Sequence, residues 1–110
     1  MTLTGKAKET FEEWYVNNPT HYYWNPPTRL EFEKLDVRCQ WGVYQDWADS
    51  IEMLIEVTIV DDMNSWTYDV LCKDIMGGFV SFVKGIPEFN NRQEARNAAI
   101  EKLNYLINER

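Results

Sequence analysis

Apolar positions along the chain alternate between helical and strand-like spacing. Between residues 4 and 17, Ala7, Phe11, Trp14 and Tyr15 recur at i, i+4, i+7 and i+8, with Lys6, Lys8, Glu9, Glu12 and Glu13 on the other side. That is one stripe of an amphipathic helix. Thr4 stands where an N-cap belongs, and Asn17-Asn18-Pro19 ends the helix, because the residue before proline avoids helical backbone. Residues 20–27 place His21, Tyr22, Tyr23 and Trp24 before two prolines, an irregular connection whose rings either cover the core or form a contact patch. Thr28-Arg29-Leu30-Glu31 is a capping box, so 28–36 reads as a short helix, although Leu30 and Phe32 also fit strand spacing.

The centre reads as antiparallel sheet. Val37, Cys39, Trp41, Val43 and Trp47 share odd positions over 37–47, as do Ile51, Met53, Ile55, Val57 and Ile59 over 51–60. Joined through Ala48-Asp49-Ser50, the two runs set Trp47 against Ile51 and Trp41 against Val57. Trp66, Tyr68, Val70 and Cys72 alternate inward over 66–73, beyond a polar turn at Asp61 to Ser65. Gly77-Gly78 breaks the chain before a last short strand, Phe79 to Lys84. The closing helix, 92–109, opens on Asn91 with Glu94 three residues on, and turns Ala95, Ala98, Ala99, Leu103, Leu106 and Ile107 to one side. The expected fold is a single α+β domain over 1–110 in α-β-β-β-α order. It has one antiparallel sheet of three to four strands, with the N- and C-terminal helices packed on one face. The opposite face then carries Tyr44, Asp46, Glu52, Leu54, Glu56, Thr58, Asp69 and Leu71.

Charge sharpens this picture. The net charge is −7, and between Cys39 and Cys72 there are seven acidic residues (Asp46, Asp49, Glu52, Glu56, Asp61, Asp62 and Asp69) and no Lys or Arg. The rest of the chain is balanced, so the whole excess lies in this central stretch. Such a field repels phosphates and steers basic protein surfaces. Tyr44, Asp46, Glu52, Glu56 and Asp69 are therefore the expected partner-binding residues, with nucleic acid disfavoured. With 110 residues and 45% apolar content, the chain suits one folded domain. No run of 18 apolar residues is present and the N-terminus lacks a signal-peptide core, so a cytoplasmic protein without a membrane anchor is expected.

Catalytic chemistry is sparse. His21 is the only histidine and is far in sequence from both cysteines, which leaves no triad to build. In the strand register above, Cys39 faces Ile59 and Cys72 faces Met53, about 20 Å apart and beyond disulfide reach, so both read as buried free thiols. There is no CxxC, HExxH or phosphate loop. Asp61-Asp62-Met63-Asn64 lacks the glycine and distal glutamate of a calcium loop. Glu52 and Glu56 lie on an open face rather than in a glycosidase cleft. The expectation is a non-enzyme without cofactor or metal.

Three stretches carry a resemblance. Leu3-Thr4-Gly5-Lys6-Ala7-Lys8-Glu9 with Phe11 to Tyr15, Gln40-Trp41-Gly42-Val43-Tyr44 with Asp46 and Asp49-Ser50, and Arg92-Gln93-Glu94-Ala95-Arg96 with Ala98 to Lys102 together resemble short proteins of Bacteroidota phages and prophages. The resemblance covers about half the chain and implies a phage or mobile-element accessory protein in the host cytoplasm. Small acidic proteins of that kind block host defence nucleases, so the implied function is anti-CRISPR-like by analogy, with a basic protein surface as partner. The order of elements also resembles a double-stranded-RNA-binding domain, whose last helix looks like Arg92 to Ala99, though the Lys-rich run that grips phosphates there is missing here. An RNA-binding module and a homodimeric structural protein are the alternatives.

Overall fold

Among the described residues, four helices and three strands follow in the order α1 (Gly5–Asn17), α2 (Arg29–Lys34), α3 (Val37–Ser50), β1 (Met53–Ile59), β2 (Trp66–Lys73), β3 (Phe79–Lys84) and α4 (Arg92–Asn108). The computed structural model describes residues 3–17, 29–59, 65–73, 78–84 and 89–109. The aromatic segment 20–27, His21 and the acidic turn Asp61 to Asn64 lie outside them. The class is α+β. β1, β2 and β3 form an antiparallel sheet in that order, with a register shift between Val70 and Leu71.

The strand expected at 37–47 is a helix. Asp36 caps α3, its carboxylate accepting from the Arg38 backbone N–H at 2.8 Å. That bond and the adjacent Arg38 guanidinium hold the Asp36 carboxyl below its ordinary value. Trp41, Tyr44, Trp47 and Ala48 are buried together with Val43, a helical spacing that strand alternation does not accommodate. The helix ends at Ile51, and the chain turns into β1 through Glu52 at φ 62°, a left-handed position occupied here by a side chain that disfavours it. Cys39 is consequently exposed on α3 rather than buried opposite Ile59, and Trp41 does not pair across strands with Val57. Cys72 does stand opposite Met53, half-buried.

The three leading elements are joined by rings. Phe11 of α1 lies 5.0 Å from Phe32, 5.1 Å from Tyr44 and 5.2 Å from Trp47 between ring centroids, and Tyr15 lies 5.3 Å from Phe32. The Gln40 side-chain amide donates to the Phe32 and Leu35 carbonyls at 3.1 and 3.2 Å, closing the end of α2 against α3. Below this layer α3 packs on β1, α4 packs on β1 and β2, and α1 rests on α4. The N-terminal helix thus reaches the sheet mainly through its neighbours, not as one of two helices laid on it. Met53, Ile55 and Val70 meet Ala99, Ile100 and Leu103 in the core.

The first turn of α1 is closed from the far end of the chain. Asn108 Oδ1 accepts from the Ala7 N–H at 2.8 Å and Asn104 Oδ1 from the Thr4 N–H at 2.9 Å. The Thr4 hydroxyl, expected to cap its own helix, accepts instead from both asparagine amides. Gly5 has φ +57°, and a Cβ there would sit 3.1 Å from Asn108 Oδ1. Gly5→Ala should therefore cost about 1–2 kcal/mol from the left-handed backbone alone. Urea denaturation followed by circular dichroism reads the loss, and an unchanged midpoint would refute this account of the cap.

Candidate functional site

The cross-strand register sorts the expected site residues. Met53↔Cys72, Ile55↔Val70 and Val57↔Tyr68 share the face that carries α3 and α4. The other face shows the ladder Leu54↔Leu71, Glu56↔Asp69 and Thr58↔Thr67. Glu52 continues it, accepting from the Lys73 N–H through its carbonyl, with its carboxylate 3.9 Å from Lys73 Nζ. No described helix packs on this face. Glu56 and Asp69 are thus brought side by side, and Asp69 Oδ1 is buried without a hydrogen-bond partner. Lys73 places one basic group among these carboxylates, so the face carries both signs.

Two of the expected residues are elsewhere. Tyr44 belongs to the aromatic core at 8% exposure, and burial, reinforced by the Glu33 charge, pushes its phenol up to about 12. Asp46 is exposed on α3, off the sheet. Both displacements follow from α3 being a helix.

A second feature arises where α3, α4, β1 and β2 meet. An open groove of about 430 Å³ is lined by Trp41, Gln45, Glu56, Trp66, Arg92 and Arg96, among others. The Arg92 guanidinium lies over the Trp66 ring at 4.7 Å and that of Arg96 over Trp41 at 5.6 Å. Gln45 donates to the Ile55 carbonyl at 3.4 Å, which ties α3 to the free edge of β1 beside the groove. Desolvation, with Arg92 and Arg38 nearby, lowers the Arg96 pKa, and its Nε is buried with no acceptor. Asn91 aims this end of α4: its side chain accepts from the Glu94 N–H at 2.9 Å while Glu94 reaches back to the Asn90 N–H.

No protein-family model matches the chain, and neither the curated proteins nor the solved structures yield a significant match. The residues themselves must carry the functional argument. Among the described residues no group of three or more His, Cys, Asp or Glu is placed to hold a metal ion. No described helix is long and apolar enough to cross a membrane. The signal that the groove offered in sequence was Arg92 and Arg96, four apart at the start of a helix. The two tryptophans gave no such signal, since strand spacing assigned them to the core.

Proposed function

We propose that this protein is a non-enzymatic accessory protein of a phage or mobile element. It docks the outer face of its sheet on a basic protein surface and so inhibits a host nucleic-acid-targeting defence protein, in the manner of an anti-CRISPR. The observation that carries this reading is the Glu56↔Asp69 pair beside Leu54↔Leu71, on a face that no described helix covers. Like charges directly opposite across strands destabilise a sheet, and a basic side chain set between them relieves the repulsion. An apolar pair rimmed by charge is also the common anatomy of a protein interface. The net charge of −7 steers such a partner toward the molecule.

The test begins with affinity capture from defence-competent host cells, followed by association rates for the captured partner. Glu52→Lys combined with Glu56→Lys should slow association about tenfold and flatten its salt dependence. Stability should change by less than about 0.5 kcal/mol, as is usual at exposed positions. A second reading, RNA binding, is favoured by the order α3-β1-β2-β3-α4 and by the two arginines that open α4. If the glutamate reversal spares inhibition while Arg92→Gln with Arg96→Gln abolishes it, and the protein shifts RNA in a salt-titrated gel, the RNA reading replaces the sheet-face one.

A further inference from the structure

The geometry points to a second binding site, which borders the sheet face at Glu56: the groove of Trp41, Trp66, Arg92 and Arg96 takes a phosphate ester of mononucleotide size. The argument starts from the two arginines. They stand at i and i+4 on α4, where like charges repel. Among the described residues neither has an ion pair, in a chain that carries 18 carboxylate side chains and only 11 Lys and Arg. Cation–π contact with Trp66 and Trp41 holds both guanidinium groups at the groove wall before any ligand arrives. Arg96 Nε is buried and lacks an acceptor. Nε itself is closed to solvent, so the terminal N–H groups of the two neighbouring forks are the donors that match the oxygens of a phosphate.

The rest of the groove selects size and class. Its volume of about 430 Å³ falls within the range of small-molecule sites, about 300–1,000 Å³. Glu56 and Gln45 supply an acceptor and an amide at the same wall, chemistry suited to sugar hydroxyls or a base edge. The tryptophan rings offer the flat surfaces that bases stack on. Glu56 in the groove lining and the chain's net charge of −7 oppose a long polyanion. A single phosphate avoids most of that repulsion, which favours a mononucleotide over a strand.

Titration of adenosine 5′-monophosphate with tryptophan fluorescence as the readout tests the site, with inorganic phosphate, adenosine and a short single-stranded oligonucleotide as parallel probes. Saturable quenching is expected with a Kd below about 1 mM. Inorganic phosphate should compete, and adenosine should bind at least about tenfold more weakly, since the charge-assisted bonds go to the phosphate. Arg92→Gln and Arg96→Gln should each weaken the nucleotide by about tenfold for the same reason. Arg92 is exposed, so its variant remains informative even if Arg96→Gln unfolds, and thermal melting verifies both. Glu52→Lys should leave nucleotide binding intact, which separates this site from the sheet-face reading. The site is overturned by no saturable quenching, by equal binding of adenosine, or by binding that survives both arginine variants. Tighter, steeply salt-dependent binding of the oligonucleotide would overturn it in favour of a strand.

Discussion

Trp47→Ala should lower the unfolding free energy by about 3–5 kcal/mol, the usual cost of removing a large buried ring. Trp47 is fully buried on α3 and meets Phe11 edge-on at 5.2 Å, so its loss opens a cavity beneath α1 as well as beside β1. A small domain holds only about 5–15 kcal/mol in all, so the variant should be substantially less stable and partly unfolded at modest urea. Trp47→Phe should recover much of the loss. It keeps a ring in place and removes the indole Nε1–H, which is buried with no acceptor. Urea denaturation followed by far-UV circular dichroism gives both values. A loss below about 1 kcal/mol for the alanine variant would be too small for a packed core ring and would show that the aromatic cluster does not bind α1 to the rest of the molecule.

That same residue shows why the spacing over 37–47 fits a strand as well as a helix. Trp41, Val43 and Trp47 satisfy both an odd-numbered strand face and a helical one, since all three are buried on the helix. Val37 and Cys39 extended the alternation by coincidence, and both are exposed. The discriminating residues were Tyr44 and Ala48, which belong to the apolar set only at 3.6-residue spacing, and Asp36, a cap just before the run. Where the alternatives did not overlap, the pattern was legible. The alternation of β2 and the Asn91–Glu94 box of α4 carried those elements from the sequence to the structure with nearly unchanged bounds.

The outer sheet face was legible to the same degree. Alternation on β1 and β2 placed Glu56 and Asp69 on one surface, and the register sets them opposite each other. What no spacing rule reveals is that Lys73 comes within 3.9 Å of the Glu52 carboxylate on that surface, because pairing between strands depends on the turns that join them. The groove was hidden for a different reason. It exists because α3 carries Trp41 to the side of α4 where Arg96 emerges, and a strand reading sent that ring into the sheet.

Ala99→Leu should cost about 1–3 kcal/mol through overpacking, whereas Ala98→Leu should stay within about 0.5 kcal/mol. Both substitutions exchange one strong helix former for another, so intrinsic propensity does not separate them. Their surroundings do. Ala95 and Ala99 are fully buried one turn apart where α4 presses on β1 and β2, while Ala98 is only half-buried. Added methylenes at 99 must lift α4 off the sheet or force Ile55 and Val70 out of their rotamers. A lifted α4 also carries Asn104 and Asn108 away from the first turn of α1, so the Ala7 amide should lose its acceptor. Hydrogen exchange at Ala7 should therefore accelerate in Ala99→Leu, although the substitution lies on another helix and does not touch that amide. Equal costs at 98 and 99, or an unchanged Ala7 exchange rate beside a large loss at 99, would show that the small residues do not set the height of α4 above the sheet.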